Sequence, residues 1–288
     1  MTYRVTHITR YDYSAQVVSC HNLAHLLPIS CELQRCINSD IEIEPTPRTL
    51  RHFKDYFGNT ATYFDIVNPH QTLTVTVVSE IELLAAQVVL DTMPWEQVRQ
   101  ACLNVENEKA LLMREFMAAS PLVPILPQAL TYALPSFPAG RSLRECLLDL
   151  MARIHQDFQY QAGVTTVATP LEEVFLQRQG VCQDFAHLAI ACVRALGLPA
   201  CYISGYLETT PVENQPKLIG SDASHAWFAV YSPKCGWMEL DPTNNCVPSA
   251  HHLRLARGRD YDDVTPLKGV LYGGGEHSLQ VSVDVSRV

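Results

Sequence analysis

Three short stretches of this 288-residue chain hold residue types that together could make an activated nucleophile. Cys182 lies in Gln179-Gly180-Val181-Cys182-Gln183-Asp184-Phe185-Ala186-His187. His225 lies in Ser224-His225-Ala226-Trp227, and Asp241 in Glu239-Leu240-Asp241-Pro242-Thr243. A thiol is a poor nucleophile until its proton is removed, and a helix N-terminus and a neighbouring imidazole are the two devices that remove it. A carboxylate behind the imidazole fixes its tautomer and stabilises its cation. The backbone N–H of Cys182 could donate to an oxyanion. Tyr160, Gln177, Gln179, Gln183 and Trp227 are the polar-tipped candidates for a second donor or a substrate contact, and nothing in the sequence ranks them.

These residues meet only if the elements carrying them fold as their patterns predict. Cys182, Phe185, Leu188, Ala189, Cys192, Val193 and Leu196 recur at spacings of three and four, so a helix starts at Val181 or Cys182 with that stripe inward. Asp184, His187 and Arg194 fall on the other side, and Gly197-Leu198-Pro199 stops the helix. Strands are expected over Ala200 to Leu207, His225 to Tyr231 and Trp237 to Asp241. Ser232-Pro233-Lys234-Cys235-Gly236 reads as a hairpin loop centred on Lys234. Antiparallel partners then place His225 opposite Thr243 and diagonal to Asp241, on one face of the sheet and within reach of each other. Trp227 and Ala229 share that face and are expected against the core helix.

Upstream, Ser142-Leu143-Arg144-Glu145 is a capping box opening a helix to about Asp157, with Leu143, Leu147, Leu150, Ile154 and Phe158 inward. Thr169-Pro170-Leu171-Glu172 reads as a second capping box, its helix running to Arg178 with Gly180 at the left-handed end. The first 85 or so residues alternate with period two (Tyr3, Val5, His7, Thr9, Tyr11; Leu73, Val75, Val77, Ser79, Ile81, Leu83), which predicts an antiparallel sheet or sandwich. Phe57-Gly58-Asn59 is a turn. A loose helical pattern spans Asp91 to Ala119 through Val98, Cys102, Val105, Leu111, Leu112 and Phe116. Pro121, Pro124, Pro127, Pro135 and Pro138 then suggest an irregular link over the surface. Pro248 to Pro266 reads as irregular, and Leu279, Val281, Val283 and Val285 as a last strand. The expected units are an N-terminal β region over 1–90, joined by a C-terminal strand at 277–286; a helical and Pro-rich connector over 91–140; a core over 141–265; and a β segment over 266–288.

Composition narrows the partners. At 47% apolar and 18% charged the chain is globular, and its net charge of −9 with no Lys/Arg run argues against nucleic acid and anionic membranes. No stretch is apolar enough to span a bilayer and no secretion signal is visible, so a cytoplasmic location is expected. The ten cysteines include no Cys-x-x-Cys and most read as small buried hydrophobes. No metal or cofactor is expected. His251-His252 are neighbours that would point apart on an extended chain, with no Cys or carboxylate to complete a set, and read as loop. No acidic calcium loop is present. Gly273-Gly274-Gly275 precedes a strand rather than a helix, so it reads as a flexible turn and not a phosphate cradle. His187 lies about 140° round the helix from Cys182 and reads as structural, or as a substrate-side polar group, rather than a rival base. Asp184 reads as a first-turn dipole partner.

The sequence resembles the transglutaminase-like superfamily. Gly-Val-Cys-Gln-Asp-Phe-Ala-His at 180–187, Ser-His-Ala-Trp at 224–227 and Leu-Asp-Pro-Thr-Asn at 240–244 are similar to its three motifs. The likeness is greatest to bacterial proteins with an extra N-terminal β region. Thr6-His7-x-Thr9-x-Tyr11-x-Tyr13, Tyr56-Phe57-Gly58-Asn59 and Gly258-Arg259-Asp260-Tyr261-Asp262-Asp263-Val264 also fit. The resemblance implies an α+β fold: a papain-like core, its Cys-bearing helix packed on an antiparallel sheet, plus an N-terminal antiparallel β-sandwich region. It implies a triad of Cys182, His225 and Asp241. The function expected is cysteine-dependent acyl transfer on a peptide or protein substrate, with hydrolysis favoured. A transglutaminase, with an amine in place of water, and a non-catalytic peptide-binding module are the alternatives; the oligomeric state is open.

Overall fold

The computed structural model describes residues 1–84, 92–104, 108–208 and 224–288, with residues 108–111 by backbone alone. One long strand, β1 (Thr2–Leu27), organises the N-terminal sheet. Its first half pairs with β5 (His70–Leu83) on one side and β13 (His277–Arg287) on the other. Its second half pairs with β4 (Thr60–Ile66) and β12 (Leu267–Gly273). β2 (Gln34–Glu44) borders β5 and β3 (Thr49–Lys54) borders β4. The pairing with β5 slips between Asp12 and Val17, where β1 changes partners, and the seven antiparallel strands form one curled sheet. The period-two pattern has its cause here: Tyr3, Val5, His7, Leu73, Val75, Val77 and Ile81 are buried, while Arg4 and Arg10 face water. Gly273, Gly274 and Gly275, all at positive φ, turn β12 into β13 against β1. A Cβ on Gly273 would stand 2.5 Å from the Gln16 carbonyl oxygen, so the run suits glycine on steric grounds.

The helical middle departs from the sequence in several places. Two helices, α1 (Trp95–Leu103) and α2 (Glu108–Glu115), occupy the loose pattern; Val105 lies outside the described residues. The Pro-rich stretch is not an irregular surface link. Pro127 stands at the first position of a short helix, α3 (Pro127–Ala133), which continues as a 3₁₀ turn over Leu134–Ser136. Ala129, Tyr132, Ala133 and Phe137 are buried in the main core. Ser142 caps α4 (Leu143–Asp157) as its capping box predicts, and all five inward residues are buried. The second capping box is absent: α5 (Leu171–Gln177) starts after Pro170 with no side-chain cap, because the Thr169 hydroxyl accepts from Thr166 N–H instead. Arg178, at φ 56°, takes the left-handed end in place of Gly180.

Four strands form the core sheet in the order β10-β9-β8-β11. They are β8 (Ala200–Leu207), β9 (Ser224–Ser232), β10 (Gly236–Leu240) and β11 (His252–Gly258). β11 falls in the stretch expected to be irregular. It pairs antiparallel with β8 and is buried along most of its length. On the other edge, Gly236 faces Ser232 and Leu240 faces Phe228, the register of a hairpin centred on Lys234.

Against this sheet packs α6 (Cys182–Ala195), and every residue from Asp184 to Arg194 is buried. The polar side expected to face away from the core is therefore inside. Each of its members has an internal partner, as buried polar groups require. Asp184 accepts from Val181 N–H and the Thr165 hydroxyl. His187 accepts from Tyr261 N–H and packs on Tyr202. Arg194 donates to the carbonyls of Phe116, Ala200 and Arg259 and to the Ser120 hydroxyl. A second core, holding Tyr206, Leu253 and Leu255 together with β1, β4 and β5, joins the two sheets.

Candidate active site

Cys182 owes its position to the turn before it. Gly180 belongs to β7 (Gln179–Gly180), which pairs in parallel with β6 (Gln159–Tyr160) at the end of α4. A Cβ on Gly180 would lie 2.7 Å from Asp184 Oδ2. Without it the Asp184 carboxylate folds back to the Val181 N–H at 2.8 Å and closes the first turn of α6. Burial pushes the Asp184 carboxyl up, while Thr165 and Val181 oppose that shift. Cys182, the first residue of α6, is half-buried.

His225 opens β9 and is 1% exposed. Its Nε2 meets Asp241 Oδ2 at 2.8 Å. Asp241 follows the last residue of β10 and bridges back to Cys246 through its backbone, so the end of the hairpin carries the carboxylate to the imidazole. The buried Nδ1 of His225 makes no hydrogen bond of good geometry. Cys182, at the start of α6, is near enough to the ring to add to the rise in its proton affinity after Asp241. Burial works against the His225 cation, but the Asp241 carboxylate and then Cys182 outweigh it and raise its proton affinity to about 10. Burial opposes the Asp241 anion as well, yet His225 and then His252 hold its carboxyl well below the usual carboxylate range.

Not every predicted neighbour lies at this cluster. Tyr160 is half-buried, edge-on to Phe185, and close enough to Cys182 that burial and then the thiol's charge raise its hydroxyl's proton affinity. Gln183 follows Cys182 on α6 and is half-buried. Gln177 is exposed, and its amide is turned to Glu173 on its own helix at 2.6 Å, away from the cluster. Gln179 is committed through its backbone to the short β6–β7 ladder. Trp227 is fully buried and its indole N–H donates to Glu239, so it cannot reach a substrate; it packs instead on His225 and His252.

The residue that sequence reasoning missed is His252. Its Nε2 lies 3.1 Å from Asp241 Oδ2, so a carboxylate does stand beside this histidine and it belongs to a strand, not a loop. The adjacent His251 points elsewhere, to Glu208. The available signal was the alternation of Leu253 and Leu255, which marks β11 as a strand. The donor atoms of His225, Asp241 and His252 lie within 4.8 Å of one another. Hydrogen bonds among the three engage both imidazole Nε2 atoms with the one carboxylate oxygen.

Comparison with known proteins agrees with this architecture. Residues 3–82 match the bacterial transglutaminase-like N-terminal region and residues 140–242 the transglutaminase-like superfamily. An uncharacterized protein of Mycobacterium tuberculosis is 43% identical over 293 residues, spanning 98% of this chain and 92% of the relative. The chain belongs to the transglutaminase-like superfamily. A solved protein of Cytophaga hutchinsonii, described as a candidate cysteine protease, shares the fold with a TM-score of 0.77 at 20% identity, covering 100% of this chain and 91% of its own. A protein-glutamine gamma-glutamyltransferase of Pseudomonas aeruginosa is 29% identical over 138 residues, 43% of this chain and 20% of that enzyme.

Proposed function

We propose that this protein is a cysteine-dependent acyl-transfer enzyme that hydrolyses peptide or amide bonds. The observation that carries the reading is the buried His225, fixed through Nε2 by Asp241, with its Nδ1 making no hydrogen bond and Cys182 acting on the same ring from the start of α6. In the proposed cycle His225 takes the Cys182 proton, and the thiolate attacks the substrate carbonyl carbon. The backbone N–H of Cys182, in the first turn of α6 with no carbonyl of its own helix to bond, donates to the oxyanion. Tyr160 is the candidate second donor. As the tetrahedral adduct collapses, the C–N bond breaks, His225 gives its proton to the departing amine, and a thioester remains on Cys182. Water, deprotonated by His225, then attacks the thioester; the acid leaves and the thiol recovers its proton. Asp241 keeps the imidazole oriented and its cation stable throughout.

A primary amine in place of water would turn the same site into a transferase, and the likeness to a glutamyltransferase supports keeping that branch. The site needs no cofactor for either branch, and its proposed partner is a peptide or protein substrate. Peptide amides and glutaminyl peptides, offered with and without a primary amine and followed by mass, test the proposal. Free acid formed through an acyl adduct on Cys182 and lost in Cys182→Ala is expected. Amine-linked product at the expense of acid would reassign the reaction to transfer. Binding without an adduct would make the protein a peptide-binding module.

A further inference from the structure

The Asp241 carboxylate is engaged more heavily than holding one imidazole requires. Its Oδ1 accepts the backbone N–H groups of Thr243 at 2.9 Å and Asn244 at 3.2 Å. Its Oδ2 faces three donors: His225 Nε2 at 2.8 Å, Asn244 Nδ2 at 2.8 Å and His252 Nε2 at 3.1 Å. A carboxylate oxygen offers about two lone-pair sites, so three donors share the charge of one atom. His252 is built into this place. It is 1% exposed, packs edge-on against Trp227, and accepts Ser249 N–H at Nδ1 at 3.4 Å. An accepting Nδ1 leaves the ring proton on Nε2, where it can only donate to Asp241.

We propose that His252 is a positioning residue acting through Asp241: it takes a share of the Oδ2 charge and so keeps His225 able to release its proton. The inference rests on the reading of His225 as the proton carrier of a thiol site. A general acid works best when its proton affinity lies near the working pH, and an undivided ion pair with a buried carboxylate would hold His225's proton too tightly. His252 weakens that hold with a dipole rather than a charge. Burial keeps its ring neutral against the pull of Asp241, aided by the nearby His225 and Arg254 cations. The groups facing His225 are Cys182 from α6, Asp241 after β10 and His252 from β11. Those facing His252 are Asp241, His225 and Arg254, the last paired with Glu239. The other four donors keep Asp241 in place when His252 is removed, so the change is in shared charge and not in location.

Nitrogen-15 NMR of the histidine rings tests this directly, with His225 titrated in a Cys182→Ala background that removes the thiol's own contribution. His252→Leu is expected to raise the His225 midpoint by about one pH unit, the size of one hydrogen bond to a charged group. His252→Gln, whose amide nitrogen replaces Nε2 as donor, is expected to return it to the parent value. An unchanged or lowered midpoint in folded His252→Leu protein overturns the proposal. If that variant does not fold, His252→Phe takes its place, keeping a ring against Trp227 but offering no donor to Asp241; an upward shift supports the proposal and none overturns it. Because the background lacks the thiol, the result is independent of whether the native protein turns over a substrate. Failure of the functional reading would appear separately, as an unreactive Cys182 in the unmodified chain.

Discussion

Gly180 and Asp184 set the position of Cys182, the proposed nucleophile, between them. Replacing Gly180 with Ala drives a Cβ to 2.7 Å from the carboxylate that caps α6, and neither the cap nor the β7 backbone can yield without moving Cys182. Gly180→Ala is therefore expected to cost about 1–3 kcal/mol, as overpacked sites do, and to slow alkylation of Cys182. Urea unfolding and a labelling time course measure the two effects. The other buried thiols provide the contrast. Burial pushes Cys192 and Cys201 up to about 12 and Cys102 and Cys146 up to about 11, so they stay protonated at neutral pH. The residue types and spacing around Cys182, His225 and Asp241 are local and were legible in the sequence. His252 was not, because its role comes from a contact with Asp241 that only the folded sheet creates.

At the scale of elements, β11 connects the two sheets and carries His252. Its outer edge is closed by side-chain amides of the N-terminal region rather than by a fifth strand. Gln34 accepts from Arg254 N–H at 2.8 Å and donates to Arg254 carbonyl at 2.6 Å. Asn59 does the same at Arg257, both bonds at 2.8 Å, and Ile29 N–H donates to Leu255 carbonyl at 3.1 Å. This arrangement leaves fewer ladder groups open for pairing with another chain. Gln34 is fully buried, so Gln34→Leu takes the partner from the Arg254 N–H and from the carbonyls of Arg254 and Ile29. A loss of about 3 kcal/mol in denaturant stability is expected, together with slower Cys182 alkylation as β11 loosens. A stability loss with alkylation untouched would show that β11 does not support the site. The α4 capping box and the β9–β10 register were readable because each is fixed within a few residues. α3 and β11 were masked by prolines, which at Pro127 start an element and around β11 only bracket it.

Across the whole molecule, buried histidines shape the pH dependence of stability. Burial lowers His7 and His187 to about 4, below their unfolded value near 6.5. Between those values the unfolded chain binds more protons, so stability falls as pH drops from 6.5 toward 4. His225 is raised to about 10, so its contribution is full below 6.5 and is lost as pH rises toward 10. Asp241, held below the carboxylate range, contributes above its ordinary value and loses that contribution in acid. Thermal unfolding is thus expected to peak near pH 6.5, with the alkaline decline flattened in His225→Gln. The His225–Asp241 contact was open to sequence reasoning, but the burial of His187 was not, since Asp184, His187 and Arg194 fall on the side of α6 away from its apolar stripe until each internal partner is known. No helix among the described residues is long and apolar enough to cross a membrane. The central claim is that folding joins the Cys182 thiol to the His225–Asp241 pair as a working nucleophile. Iodoacetamide labelling of the native protein at pH 6, with each of the ten cysteines quantified by peptide mass, tests it most directly. The account predicts that Cys182 reacts at least about tenfold faster than every other thiol and that His225→Ala abolishes the difference. Even, slow labelling of Cys182 alongside the other partly exposed cysteines would contradict it.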